Sequence, residues 1–433
     1  MSPSRSGARS GLEPRCDVVV IGGGILGLAS AYELDRAGAS VVVLERDRLG
    51  AGQSGRNLGF VRQQGRAAAE LPLMMAANQR WRRLSEELGA DIEWQMGGNL
   101  RLTNDPAQAA RYEEWAVLAA DRGLDTRVVS DDEIRSILSA TAGDWLLGIF
   151  TASDGHVNPI ATCQAYERAL RSRGVRLVEG MPAEAIVTAG GRVTGVRTSL
   201  GEISAPAVVL AAGTFSARLA RSIGVEIPQK FVRQTVLLTE PVPPVTRTAA
   251  WTGDLFIRQD KSGSLRLAGA TRSEVVLDAS ALRHTRLFLR SYLANRSQLR
   301  LRVDPRGLAR AATRLVGSAG GDVAVPAPDG DDVAFCLQRI RRYFPDLADI
   351  RLLRAWAGEI DATPDSLPVL DAAAGPSGLV VATGMSGHGF GVSPVIGEIV
   401  AALVNGKDVP FDLRPFRSSR FNDGSLLEPA HLL

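Results

Sequence analysis

The stretch Val18-Val19-Val20-Ile21-Gly22-Gly23-Gly24-Ile25-Leu26-Gly27-Leu28-Ala29-Ser30-Ala31 decides how this chain begins to fold. A run of β-branched residues stops at a glycine cluster, and an apolar pattern of helical period follows at once. That order predicts strand, tight turn and helix, with Gly22, Gly24 and Gly27 on the three glycines of GxGxxG. Gly22 permits the turn, Gly24 lets a pyrophosphate approach the backbone, and Gly27 lets the helix pack closely on the strand. The helix opens at Ile25, where its first amides and positive dipole suit a phosphate. Val41-Val42-Val43-Leu44 reads as the second strand and ends in Glu45, with Arg46 beside it. Glu45 lies 23 residues past Gly22, close to the roughly 20 expected of an acid that binds ribose hydroxyls. The competing reading is a glycine-rich structural turn followed by a chance acid.

A chain of 433 residues is too long for one simple core, and two domains are the natural expectation. Hydrophobic residues at 45% and charged residues at 22% are ordinary for a globular protein. A net charge of +3 gives no argument for nucleic acid or a charged membrane surface. Cys16, Cys163 and Cys336 are few and far apart, which argues against a disulfide framework and for a reducing, cytoplasmic setting. His156, His284, His388 and His431 are scattered, so no metal site is expected. Met1 to Arg15 lacks an apolar core and reads as a disordered tail, and no apolar run is long enough to span a membrane.

Beyond Glu45, Ser54-Gly55-Arg56-Asn57 lies in a glycine-rich polar loop of the kind that wraps a cofactor, flanked by Arg56 and Arg62. Helices are expected over 68–88, 107–122, 131–138 and 160–173, strands over 92–102 around the turn Gly97-Gly98-Asn99, and a strand over 145–150. Further strands at 175–178, 183–187, 193–198 and 208–210 lead into Ala211-Ala212-Gly213, where small residues let something flat approach the backbone. Long alternating strands at 229–240 and 255–270 suit an antiparallel sheet, the second folded at Asp260-Lys261-Ser262-Gly263. Residues 280–345 read as mainly helical, with Arg306, Arg310 and Arg314 on one solvated face and a loose loop at 317–332. Near the C-terminus, Leu379 to Thr383 runs into Gly384-Met385-Ser386-Gly387-His388-Gly389-Phe390-Gly391, and a helix is expected from about Pro394.

Taken together, these blocks resemble the FAD-dependent amino-acid and amine oxidoreductases of the D-amino-acid oxidase superfamily. Within it, the sarcosine oxidase β-subunit, opine oxidase and hydrogen cyanide synthase subunits look most similar. The resemblance covers about residues 16–421 and rests on the GxGxxG block, Ser54 to Asn57, Ala211-Ala212-Gly213, Thr363-Pro364-Asp365 and Gly384 to Phe390. It implies an α/β fold: a Rossmann-like FAD-binding domain from 16–85, 151–225 and 350–433, and an α+β substrate domain with a mainly antiparallel sheet from 86–150 and 226–349. It also implies an extended FAD. Gly22, Gly24 and Gly27 would face its pyrophosphate, Glu45 its ribose, and the backbone near Ala183 its adenine. Ser54 to Asn57 would pass the ribityl chain. Gly387 to Gly391 and the helix behind them would face the flavin's pyrimidine edge, where oriented amides stabilise the charge of the reduced ring. Ile25, Arg46, Ala212, Gly213 and Gly384 complete the expected cofactor site. His388 and Arg62 are the catalytic candidates, Arg62 because its fork suits a substrate carboxylate.

The implied reaction removes a hydride from a carbon bearing an amine, on a secondary or N-substituted amino acid resembling sarcosine, an opine or proline. An electron acceptor, oxygen or another carrier, would follow, and partner subunits fit the resemblance. Departures matter too. Ile360 stands where glycine and D-amino-acid oxidases carry an arginine, and Gly391 where monomeric sarcosine oxidases carry a lysine. Arg266 aligns with those enzymes' lysine over the flavin. No cysteine lies near Trp356-Ala357-Gly358 to attach FAD, so non-covalent FAD is expected. Two other readings stand beside this one: a nicotinamide-dependent dehydrogenase, and a non-catalytic subunit that holds FAD.

Overall fold

Val18–Ile21 forms the centre of a six-stranded sheet because its run of valines is buried on both faces, as in parallel sheets covered by helices. In a computed structural model, which describes residues 15–139, 141–270, 273–277, 284–296, 299–303 and 326–428, it pairs in register with Val41–Leu44 on one side and Ala207–Leu210 on the other. Arg176–Val178 extends the sheet beyond Val41–Leu44, and Leu379–Thr383 beyond Ala207–Leu210. All these pairs are parallel; only Val369–Asp371, at the edge, runs antiparallel. The helix Ile25–Arg36 packs against the C-terminal helix Gly389–Val404, so tightly that a Cβ on Gly397 would lie 2.6 Å from the Ala29 carbonyl oxygen. A three-stranded antiparallel sheet, Ala185–Ala189, Arg192–Thr198 and Gly201–Ser204, shares a second apolar cluster with the central sheet.

A ten-stranded sheet forms the other half of the described molecule. Its middle is the long strand Lys230–Pro241, with Ser264–Gly269 and Ser273–Leu277 antiparallel to it. Asp260 to Gly263 makes the expected hairpin turn, with the Gly263 amide donating to Asp260 O at 2.9 Å. Leu352–Ala362 also pairs with Lys230–Pro241, over nearly its whole length, although the boundaries above place 350–433 with the nucleotide-binding segments. Pairing between strands so distant in sequence leaves no local trace.

Three local expectations are corrected. Of residues 92–102, only Asn99 onward enters a strand, Asn99–Thr103. Between the helices Thr285–Asn295 and Gly330–Tyr343 lies a strand, Leu299–Val303, parallel to Ser273–Leu277. The C-terminal helix starts at Gly389, not near Pro394, which lies inside it. Pro394 cannot donate to the Phe390 carbonyl. Ser393 Oγ does so instead at 2.8 Å, while Trp81 Nε1 donates to Gly391 O at 2.6 Å. Arg306, Arg310, Arg314 and 317–325 lie outside the described residues. Gly330 to Asp332 opens a helix capped by Asp329. Among the described residues no helix is long and apolar enough to cross a membrane.

Candidate active site

A cavity of about 380 Å³ is walled by residues of both large sheets. Gly22, Gly24, Ile25, Glu45, Arg46, Ala183, Ala212 and Gly213 line it around the mouth of the first strand. Ser54, Arg56 and Asn57 follow, then Arg62, Gly387, His388, Gly389 and Phe390. Gly27, Gly55, Gly384 and Gly391 are not in the wall and serve packing instead. A Cβ on Gly27 would overlap the Gly22 carbonyl oxygen, and one on Gly55 would lie 2.6 Å from Gly50 O. One on Gly384 would lie 2.6 Å from Thr363 Cγ2, and one on Gly391 3.1 Å from Met74 Cε. The turn into the C-terminal helix therefore has little room for a longer residue at 391.

The end around Gly22 is made of backbone. Gly22 has φ +110° and its amide donates to Leu44 O at 2.8 Å, which ties the turn to the neighbouring strand. A Cβ there would overlap the Ala211 carbonyl. The first-turn amides of a helix have no intrahelical acceptor, and the Ile25 amide is taken by Ser54 Oγ at 2.8 Å. Glu45 Oε2 accepts from the Gly23 amide and Oε1 from Asp47, each at 2.8 Å. Burial raises the Glu45 pKa, and these two bonds oppose the rise. The Arg46 guanidinium carbon lies 3.7 Å from the centre of the Phe215 ring, and both residues line the cavity.

The loop after Glu45 is held by its own side chains. Asn57 Nδ2 donates to Ser54 O at 2.7 Å and its Oδ1 accepts from the Gly59 amide at 2.6 Å. Trp356 Nε1 donates to Arg56 O at 2.9 Å. Asp361, which the sequence reading passed over, is a buried hub in the cavity wall. It accepts from Gln53 at 2.9 Å, Gln229 at 3.2 Å and the Gly384 amide at 2.9 Å, so one carboxylate joins the Ser54 loop to the C-terminal glycine turn. Thr363-Pro364-Asp365 is a support rather than wall. Asp365 and Arg420, both fully buried, form a two-pronged ion pair at 2.8 and 3.1 Å, and Thr363 N donates to Ser386 Oγ at 3.1 Å.

At the far end the site is made of charged side chains. His388 caps the helix Gly389–Val404, is buried, and its Nδ1 lies 3.0 Å from Glu70 Oε2. Burial and then Arg66 push the His388 pKa down to about 4. Burial opposes ionisation of Glu70, but His388 first, then Arg66 and Arg62, hold its pKa below the usual value. The imidazole is therefore neutral near pH 7, donates from Nδ1 to a carboxylate, and keeps a lone pair on Nε2. Arg62, Arg66 and Arg101 are buried close by, and desolvation lowers the pKa of each, Arg101 to about 10. Asp154 accepts from Gln63 and Gln64, and burial raises its pKa to about 6. Glu70, Arg66, Arg101 and Asp154 were not anticipated. Arg62, Arg66 and Glu70 do fall four apart, but the helix begins only at Leu71, so that spacing carries no helical signal. Arg266 is not in the wall; its Nε donates to Asp260 at 3.0 Å, beside Arg258.

The chain belongs to the DAO family of FAD-dependent oxidoreductases, whose profile matches residues 17–403. It is an oxidoreductase with FAD as cofactor, and the nicotinamide reading falls. Human mitochondrial sarcosine dehydrogenase is 30% identical over 239 residues, a match that spans 53% of this chain but only 26% of that enzyme. The hydrogen cyanide synthase subunit HcnC of Pseudomonas aeruginosa is 25% identical over 450 residues, covering 94% of this chain and 96% of the relative. In fold, an L-amino acid deaminase from Proteus vulgaris superposes with a TM-score of 0.88 at 22% identity, covering 96% of this chain and 99% of that one. The wall suits the cofactor on its own terms: glycines where a side chain would collide, a helix N-terminus, an acid held by amides, and a second helix start facing the same space.

Proposed function

We propose that the protein oxidises the carbon–nitrogen bond of a secondary or N-substituted amino acid. The observation that carries this reading is that a buried guanidinium, Arg62, and a buried imidazole, His388, line the same cavity as the turn Gly22 to Ile25. Gly22, Gly24 and Ile25 would hold the pyrophosphate, Glu45 the ribose, and Arg46, Ala183, Ala212 and Gly213 the adenine side. Ser54, Arg56 and Asn57 would pass the ribityl chain, and Gly387 to Phe390 would face the ring. Bound FAD supplies the two-electron acceptor.

The chain's own residues do the rest. Arg62 pairs with the substrate carboxylate and fixes the reacting carbon. His388 Nε2 accepts the amine N–H, so the nitrogen lone pair is free when the hydride leaves; Glu70 keeps that tautomer by accepting from Nδ1. Val236, Phe256 and Ala268, also in the wall, make that side apolar and keep water from the reacting atoms. The product imine is hydrolysed by water.

The relatives named for sarcosine and for cyanide synthesis support an amino-acid substrate, and three buried cysteines outside any disulfide suit a reducing compartment. Anaerobic titration of the purified yellow protein with sarcosine, proline and glycine tests the proposal. Bleaching of the blue flavin band by at least one is expected; failure of all three would favour a subunit that only holds FAD. Acid precipitation should leave the colour in the supernatant, since FAD is held without a covalent bond.

A further inference from the structure

Asp361 and Asp365 are both buried acids, four residues apart, and the fold treats them in opposite ways. Asp365 meets Arg420 in a two-pronged ion pair. Asp361, 2% exposed, meets no cation: among the described residues, no Lys, Arg or His nitrogen lies within 4.0 Å of its carboxylate. Its partners are neutral. Gln53 Nε2 donates to Oδ1 at 2.9 Å, while Gln229 Nε2 and the Gly384 amide donate to Oδ2 at 3.2 and 2.9 Å. The Gln229 side chain has one possible orientation, because its Oε1 accepts from the Ala217 amide at 3.1 Å and only Nε2 is left to face the acid. Burial pushes the Asp361 pKa up, and the bonds from Gln53 and Gly384 oppose the rise. A protonated acid needs an acceptor for its own hydrogen. The three nearest groups are all N–H donors, so the shell is built for the carboxylate.

Neutral donors hold a carboxylate without cancelling its charge, and away from water that charge reaches further. The donors come from both ends of the cavity. Gln53 precedes Ser54, whose Oγ takes the Ile25 amide, and Gly384 begins the turn that carries His388. Gln53, Asp361, Thr383 and Met385 all line the wall, so a cofactor extended from Gly22 to His388 passes them. Two-electron reduction leaves negative charge on a flavin, and charges placed near the ring tune how readily it is taken up. The helix start at Gly389 favours that charge. Asp361 opposes it.

We propose that the unpaired charge of Asp361 lowers the reduction potential of the bound flavin, so that electrons taken up are passed to the next acceptor rather than held. The proposal rests on FAD lying extended through the cavity and on no particular substrate.

The test separates charge from mere attachment of the loops. The potential is read by equilibrating the purified holoprotein with a reference dye during anaerobic chemical reduction, with no substrate present. Asp361→Asn should shift the balance towards reduced flavin about tenfold, the scale of one unit charge acting through a protein-like dielectric. For a two-electron couple that is an upward shift of about 30 mV. Asp361→Glu keeps the charge and should return most of the shift. Gln53→Leu removes one bond to Asp361 but leaves the charge, so the potential should not rise. An unchanged potential in Asp361→Asn, or an equal rise in Gln53→Leu, overturns the proposal and leaves Asp361 a tie between two loops. Should Asp361→Asn lose its flavin, Asp361→Ser, uncharged and still an acceptor, carries the same expectation and the same overturning result. Because no substrate enters the measurement, its failure leaves the amine-oxidation reading standing. Failure of sarcosine, proline and glycine to bleach the flavin leaves a shifted potential standing in turn.

Discussion

The two ends of the cavity are built from different materials. Around Gly22 the protein presents backbone: amides, a helix start and positions where a Cβ would collide, with Glu45 bonded to those amides. Around His388 it presents side chains from distant segments: Arg62, Arg66 and Glu70 from one, Arg101 from a strand of the large sheet, Asp154 from the approach to a helix, His388 from the C-terminal turn. Backbone donors are positioned by the fold itself and need no charge balance. Side-chain charges must be brought together by packing and then balanced, by one another or by a ligand.

Breaking the support beneath the side-chain end should have the largest effect. Arg420→Met leaves Asp365 ionised with no counter-charge under the turn that carries Ser386 and His388, and stability should fall by about 3–5 kcal/mol, read from urea denaturation. A fall below about 1 kcal/mol would mean that water reaches Asp365. Gly27→Ala attacks the backbone end. Its Cβ meets the Gly22 carbonyl, so about 1–3 kcal/mol of overpacking should appear mainly as weakened FAD binding, measured by flavin release on dilution. Unchanged FAD affinity would show that the turn can shift without cost.

Smaller effects sharpen the contrast. Glu70→Gln removes the carboxylate that fixes the His388 tautomer while adding net positive charge beside Arg66. Turnover should fall about tenfold with no rise in KM; a rise in KM with unchanged kcat would place Glu70 in substrate binding instead. The smallest expected effect is on pH dependence. Burial holds the His388 pKa at about 4 in the folded protein, against the ordinary histidine value of about 6.5. The unfolded chain therefore takes up that proton first, and stability falls as pH drops from the upper value towards the lower. Asp154, raised to about 6 from 3.8, acts in the opposite sense over its own window, so the comparison must be made between variants. His388→Asn should lose less stability than wild type between about pH 7 and about pH 5, by on the order of 1 kcal/mol. Equal losses would show that His388 titrates alike in both states.

Much of the first end was legible before any coordinates. The spacing of Gly22, Gly24 and Gly27, the acid after the second strand and the C-terminal glycine run are local signals, because each encodes a backbone conformation within a few residues. Local rules also misled: proline's preference for a first helical turn moved the last helix to Pro394, where packing against Trp81 and a Ser393 hydroxyl let it begin at Gly389. Asp361, Glu70, Arg66 and Arg101 gave no comparable signal, since a buried acid or arginine looks the same in sequence as an exposed one.

What the chain's letters determined alone was the dinucleotide fold and the family's cofactor, since short-range sterics dictate where glycine must stand. Only the tertiary structure decided which charges meet around His388 and which are left with unused donors. That outcome depends on contacts between residues as far apart as Glu70 and His388, which are settled by packing and desolvation rather than by spacing along the chain.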